Sequence, residues 1–206
     1  MTGDYIRDPA EIYRRSFAQV RAEAELDGLP AELVPAAVRI VHACGMPEVV
    51  ADLAYAPEVA DAASSALAAG APVIVDCRML ASGLIKERLT ANEVICTLNE
   101  PEVPGLAEAG QTTRSAAAVE LWRPHLEGAV VAIGNAPTAL FRLLEVLADG
   151  APKPAAILGF PVGFVGARES KQALAEGDHN VPFLTLLGRR GGSAMAAAAV
   201  NALAGD

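Results

Sequence analysis

The sequence predicts an α/β fold in which helices cover both faces of a doubly wound, five-stranded parallel sheet, preceded by an N-terminal helical segment. Two units carry this prediction. Val130–Glu145 and Ala155–Leu174 each begin with an apolar run too short for a helix, which ends in a glycine turn and precedes an amphipathic helix. Strands that alternate with helices form right-handed crossovers and therefore a parallel sheet.

The first third of the chain is predicted to be helical. Asp8-Pro9-Ala10-Glu11 supplies an N-cap aspartate, a proline at the first helical position and a capping-box glutamate, so a helix should begin there and continue to about Asp27. A second helix is expected within Pro30–Gly45 and a third within Pro57–Gly70, because proline favours the first turn of a helix and glycine follows the last.

The remaining two thirds alternate strands with helices. The predicted strands are Pro72–Cys77, Glu93–Leu98, Val130–Gly134, Ala155–Gly159 and Val181–Gly188. The predicted helices are Met79–Arg88, Thr113–Leu126, Pro137–Ala148, Ala167–Glu176 and Ser193–Ala204. Ligands of open parallel sheets bind outside the carboxyl ends of the strands, so we expect the functional site in the loops that follow these strands.

Length and composition narrow the class of protein. The 206 residues are predicted to form one domain, residues 1–206. A net charge of −9 and an aromatic content of 4% argue against a nucleic-acid partner. No stretch reaches the roughly 18 apolar residues of a membrane span, and the N-terminus has no apolar leader. With three widely spaced cysteines, we expect a reduced, cytoplasmic protein.

The sequence contains no recognisable cofactor or metal motif. Gly134–Ala139 reads GNAPTA, which is not a P-loop, and the glycines of Gly159–Gly166 do not give GxGxxG. His42 and Cys44 are two residues apart, a spacing that suits neither adjacent helical ligands nor the usual zinc pairs. We therefore predict no cofactor and no metal.

His42 is the first candidate for proton transfer. It lies in VRIVHACGM, a mostly apolar helical stretch, where burial would shift an imidazole pKa. From composition alone, a hydrogen-bonded core histidine is the simpler interpretation. Ser16 is interpreted as an exposed helical serine and Ser193 as the N-cap of the last helix.

Several cations are predicted near the ligand edge of the sheet. They are Arg114, Lys153, Arg168, Lys171, Arg189 and Arg190. Each alone is most simply a solvated charge. Together they predict a site for a polycarboxylate or a phosphate, because arginines bind carboxylates through two parallel hydrogen bonds and helix N-termini add free N–H donors.

Several ordered segments resemble one family over nearly the whole chain. They are YIRDPAEIYRRSF at Tyr5–Phe17, VRIVHACG at Val38–Gly45, NEVICTL at Asn92–Leu98, TRSAAA at Thr113–Ala118, AIGNAPTALF at Ala132–Phe141 and GAPKPAAILGFPVGFVGARESK at Gly150–Lys171. These segments are similar to the precorrin-8X methylmutases. The resemblance implies a flavodoxin-like form of the α/β fold, a homodimer with active sites near the subunit interface, and no cofactor.

The resemblance also implies a reaction. A methyl group would move from carbon 11 to carbon 12 of the tetrapyrrole precorrin-8X and give hydrogenobyrinate, which could pass to the next cobalamin-pathway enzyme. His42 would be the catalytic proton donor or acceptor, Ser16 and Arg114 would contact the substrate, and Tyr13 and Arg14 would reach across the dimer. The further expected substrate contacts are Asn135, Gly163 and Arg168. A metal-free substrate is favoured over a cobalt-containing one.

Two alternatives remain open from the sequence. One is an FMN or nucleotide binder in which Asn135–Thr138 and Gly159–Gly166 cradle a phosphate, although few aromatic residues are present to enclose a flavin. The other is a corrinoid-binding carrier that retains the product and hands it on, since the same pocket would serve both binding and catalysis.

Overall fold

The computed structural model describes residues 5–205, which form helices around one sheet. Residues 1–4 and Asp206 lie outside the described part of the chain. The prediction of an N-terminus without an apolar leader falls partly on those first four residues. The helices are α1 (Pro9–Glu23), α2 (Val34–Cys44), α3 (Val59–Ala68), α4 (Arg78–Gly83), α5 (Val103–Ala109), α6 (Arg114–Val119), α7 (Pro137–Ala148), α8 (Ala167–Glu176) and α9 (Ser193–Leu203). The strands are β1 (Leu53–Tyr55), β2 (Val73–Val75), β3 (Val94–Ile95), β4 (Val130–Ile133), β5 (Ala156–Gly159) and β6 (Phe183–Leu186).

The sheet is mixed and has six strands in the described residues, in the order β1-β6-β5-β4-β2-β3. Strands β2 to β6 pair in parallel, as predicted. The prediction of five strands is wrong, because β1 adds an antiparallel strand beside β6, with Leu53 opposite Leu186. Three residues are too few to show a strand period, and their pairing depends on a segment far along the chain.

Alternate residues of the central strands face two separate cores. Val73 and Val75 of β2 join the core on the side of α2, α3 and α9, whereas Ile74 joins the core under α7. The alanines of α9 make close packing possible, and Ala196–Ala199 are all buried on that side. Helices therefore cover both faces of the sheet, as the alternating pattern predicts.

Helix bounds follow the predictions where the capping signals are strong. Helices α7 and α8 begin and end at the predicted residues. The segment predicted as one helix at Thr113–Leu126 changes from α6 to a 3-10 helix at Glu120–His125, which contains Pro124. Helix α5 was not predicted. Within residues 5–205 no helix combines the length and apolar character needed to cross a bilayer.

Candidate active site

The imidazole of His42 meets α1 through a hydrogen bond and a ring contact. Ser16 Oγ lies 2.8 Å from His42 Nδ1, and the Phe17 ring stacks on the imidazole with centroids 4.9 Å apart and planes 24° from parallel. Tyr13 approaches the same ring edge-on at 5.7 Å. One turn and a half of α1 therefore fixes both the plane and one nitrogen of the imidazole, which leaves Nε2 for other partners.

His42 is exposed in the single chain, so both the expectation of burial and the simpler interpretation as a core histidine are wrong. The reason is its position in the last turn of α2, which ends at Gly45 with a left-handed φ of +68°. The apolar neighbours Val38, Ile40 and Val41 face the core, and His42 faces away from it.

His42 lies at the carboxyl edge of the sheet, the edge at which the parallel strands end. Strand β1 is antiparallel, so its first residue, Leu53, pairs with Leu186 at the end of β6. The 3-10 helix Pro47–Asp52 connects α2 directly to that point, and Asp52 O accepts a hydrogen bond from Leu187 N. The end of α2 is thereby placed beside the loops in which parallel sheets bind ligands.

Arg114 lies at the same edge but on the opposite flank of the sheet. Its Nη2 donates to Leu98 O at 3.1 Å and to Asn99 Oδ1 at 3.0 Å, just beyond β3. In the sheet order, β3 and β6 are four strand spacings apart, about 19 Å. The Arg114 guanidinium is therefore held by the chain that follows β3, whereas His42 lies on the helix that leads towards the end of β6.

Tyr13 and Arg14 lie on the exposed side of α1. Tyr13 is partly exposed and contacts the Phe17 ring with centroids 4.4 Å apart. Arg14 pairs with Glu11 on its own helix, so its charge is partly compensated before any ligand binds.

Asp76 occupies the topological switch point between β2 and β4, and sequence reasoning missed it. Its carboxylate, in a residue only 3% exposed, accepts hydrogen bonds from the backbone N–H groups of Gly134 at 3.0 Å, Asn135 at 2.9 Å and Ala136 at 2.8 Å. An aspartate directly after the buried run VIV was the available signal. Because Asp76 already uses these donors, they are not free to cradle the phosphate of the FMN alternative.

Three of the predicted anion-binding cations are not available at the site. Lys171 is fully buried and donates to Arg190 O at 2.6 Å, and burial lowers the pKa of its ammonium to about 8. The Arg190 guanidinium pairs with Glu48 at 2.9 Å and with Asp52 at 2.6 Å. Lys153 precedes β5 and therefore lies at the amino edge of the sheet.

The loop after β5 carries two of the predicted contacts. Gly163 adopts a φ of +150° and donates its N–H to Arg189 O at 3.2 Å. Arg168 is exposed in the first turn of α8 and has no polar partner among the described residues. Asn135 is exposed after β4. These residues share the carboxyl edge with His42, on strands that neighbour one another in the sheet.

Ser193 is not the N-cap of the last helix. Gly192 holds that position, and Ser193 Oγ instead lies 3.3 Å from Cys77 Sγ. Cys44, Cys77 and Cys96 are free thiols, and burial raises the pKa of each.

A solvent-facing imidazole and a guanidinium held by Leu98 and Asn99 lie at the carboxyl edge of an α/β sheet, which is the edge at which proteins of this fold class bind their ligands. Comparison with known proteins gives the family. The family model for precorrin-8X methylmutase matches residues 11–205. The chain therefore belongs to the precorrin-8X methylmutase family, and it is an isomerase of cobalamin biosynthesis.

Individual relatives agree with this assignment. The chain is 63% identical to a precorrin-8X methylmutase of Pseudomonas aeruginosa, over 98% of this chain and 97% of the relative. It is 33% identical to a cobalt-precorrin-8 methylmutase of Priestia megaterium, over 95% of this chain and 87% of the relative. The fold matches the crystal structure of a precorrin-8X methylmutase from Thermus thermophilus with a TM-score of 0.85 and 40% identity, covering 94% of this chain and 95% of the other.

Proposed function

We propose that the chain moves a methyl group from carbon 11 to carbon 12 of precorrin-8X and forms hydrogenobyrinate, with His42 as the proton donor and acceptor. The observation that carries this proposal is the exposed His42 imidazole at the carboxyl edge, fixed through Nδ1 by Ser16 and through its face by Phe17. An imidazole held in this way presents Nε2 to a ligand in one orientation.

The methyl migration requires a proton and no other reagent. The C11–CH3 bond breaks and a C12–CH3 bond forms within one molecule, so substrate and product have the same atoms. A proton given by His42 to a ring nitrogen polarises the conjugated system and eases a 1,5-sigmatropic shift, and the proton returns when the product forms. General acid catalysis of this kind accelerates a reaction by about 10²–10⁴-fold. The remainder of the acceleration comes from holding the macrocycle in a reactive conformation.

The substrate contacts are proposed at both flanks of the edge. Ser16 and Tyr13 contact the macrocycle beside His42, and Arg114 and Arg14 pair with its carboxylates. Asn135, Gly163 and Arg168 contact it from the loops after β4 and β5.

We also propose a homodimer, because about 19 Å separates the strands that lead to His42 and Arg114 in one chain. Exposed Tyr5, Ile6, Ile12 and Tyr13 on and before α1 supply apolar surface for a subunit contact.

A metal-free substrate is proposed because the 63% identical relative is a precorrin-8X methylmutase, whereas the relatives named for the cobalt form include those of Methanocaldococcus jannaschii and Priestia megaterium, which are 36% and 33% identical. The product is proposed to pass to the next enzyme of the pathway.

We further propose one domain over residues 1–206 whose five parallel strands form a flavodoxin-like core. Counted along the chain from β2, these strands lie in the spatial order 2-1-3-4-5, which is the order of that fold. A cytoplasmic location is proposed on the three free thiols.

An isotope experiment tests the reaction itself. Precorrin-8X carrying ¹³C in its C11 methyl group is incubated with the protein, and NMR locates the label. We expect the label on carbon 12 at unchanged mass, and no exchange of label between mixed labelled and unlabelled substrates. Bound pigment that keeps its label on carbon 11 would instead support the carrier.

A further inference from the structure

The loop after β5 exposes three apolar side chains to solvent. We name Val162, Phe164 and Val165 the apolar ledge; their exposed fractions are 43%, 87% and 89%. Apolar side chains exposed together on one loop mark a binding surface more often than isolated ones do. The ledge lies at the carboxyl edge of the sheet, where ligands of such folds bind.

The ledge is held in place from both ends. Gly163 N donates to Arg189 O at 3.2 Å, and Gly192 N donates to Phe160 O at 2.8 Å, so the loops after β5 and β6 are tied together. Gly163 and Gly166 both adopt positive φ values, +150° and +78°. These conformations favour glycine, and they turn the chain so that Phe164 and Val165 face solvent.

Two cations flank the ledge, and neither pairs with a carboxylate among residues 5–205. The Arg189 guanidinium lies 5.5 Å from the centre of the Phe164 ring, a cation–π distance. Arg168 follows the ledge in the first turn of α8, beside the exposed Glu169. The neighbouring Arg190 is neutralised by Glu48 and Asp52. The surface therefore combines an apolar face with two free positive charges, which fits a flat apolar molecule rimmed by carboxylates.

The same contacts connect the ledge to His42. Arg190 follows Arg189 directly and pairs with Glu48 and Asp52, which lie in the 3-10 helix that continues from α2. The ledge, the loop after β6 and the last turn of α2 thus follow one another along one edge.

We propose that the apolar ledge binds the face of the corrinoid macrocycle, while Arg189 and Arg168 pair with its peripheral carboxylates. This proposal rests on the proposed function, and it adds Phe164, Val165 and Arg189 to the substrate contacts. Phe164 stacks on the conjugated ring and keeps water from the face on which the methyl group migrates.

Binding of purified hydrogenobyrinate, measured by absorbance titration, tests the ledge. The double variant Phe164→Ala/Val165→Ala is expected to raise Kd about tenfold or more, because it removes apolar contact area without touching the core. Arg189→Gln is expected to raise Kd and to reduce its dependence on salt. The matched controls are Leu106→Ala, an exposed leucine on α5, and Lys153→Gln, a cation at the opposite edge, and both should keep the wild-type Kd.

The outcomes separate the ledge from the function on which it rests. If wild type converts precorrin-8X and binds hydrogenobyrinate, but the ledge variants bind hydrogenobyrinate equally well, the ledge proposal is wrong and the proposed function stands. If wild type neither converts precorrin-8X nor binds hydrogenobyrinate, both fail. Sedimentation velocity on the same variants adds one further outcome. A change in oligomeric state would show that the ledge is a contact between two copies of the chain, which would overturn the proposal.

Discussion

Ser16 Oγ and His42 Nδ1 lie 2.8 Å apart, although the residues come from different helices, 26 positions apart in the chain. The contact exists because α1 packs along α2 with Phe17 and Val20 against the core. The serine hydroxyl accepts from Nδ1–H or donates to unprotonated Nδ1, so it can follow the imidazole through a proton-transfer cycle. The hydrogen bond therefore connects the packing of α1 with the proposed chemistry of His42.

Ser16→Ala is expected to lower kcat about tenfold, because the imidazole loses the partner that fixes its orientation. A rise in KM alone would mean that Ser16 contacts substrate without orienting His42. Steady-state kinetics over a range of pH measures both effects. Ser65→Ala, an exposed serine on α3, is the matched control and should behave as wild type.

Asp76→Asn is expected to lower the free energy of unfolding by about 2–4 kcal/mol, because hydrogen bonds to a charged group are worth about 1.5–3 kcal/mol each. The asparagine NH2 group would face backbone N–H groups that now donate hydrogen bonds to the carboxylate, so at least one of these hydrogen bonds would be lost. Urea denaturation measures the change. Asp149→Asn, at an exposed aspartate 3.9 Å from Arg123, should cost less than about 0.5 kcal/mol. Equal stability of the two variants would contradict the role of Asp76.

Arg114→Ala is expected to weaken binding of the tetrapyrrole and to reduce the salt dependence of Kd, since the cation proposed to pair with the carboxylates is lost. Arg114→Lys should recover only part of the affinity, because an ammonium does not form paired hydrogen bonds with a carboxylate. Titration of hydrogenobyrinate at two salt concentrations measures both variants. If Arg114→Ala binds the tetrapyrrole as tightly as wild type, the role of Arg114 is structural and consists of its hydrogen bonds to Leu98 and Asn99.

Wild type should gain stability relative to Lys171→Met as pH rises from about 8 to 10.5. Burial lowers the pKa of Lys171 from 10.5 to about 8, against the attraction of Asp52. The free-energy cost of burying the charged ammonium is therefore fully present below about pH 8. It is absent above pH 10.5, which is the pKa of the lysine in the unfolded chain. By linkage the gain approaches about 3 kcal/mol. The thiols, whose pKa values burial raises, titrate in the same range and cancel in the difference. A stability difference that stays constant between pH 8 and 10.5 would contradict the lowered pKa of Lys171 in the folded chain.

The sequence predicts those parts of the fold that local signals determine. Helix α7 begins with Pro137 and α8 ends before Gly177, and both bounds were predicted because proline and glycine act within one turn. Strand β1 was missed because its pairing with β6 is non-local. The burial of Lys171 was missed because lysines are rarely buried, and its partner is a backbone carbonyl that no motif records. Resemblance indicated His42 and Ser16, but only the packing of α1 on α2 brings them together.

The measurement that tests the central claim most directly is the rate at which wild type and His42→Ala convert precorrin-8X, followed by the absorbance of hydrogenobyrinate. His42 is exposed and its side chain is not part of either core, so the variant should keep its fold, which circular dichroism checks. We predict that His42→Ala still binds the pigment but converts it at least about 10²-fold more slowly than wild type. Conversion at the wild-type rate would contradict the assignment of proton transfer to His42.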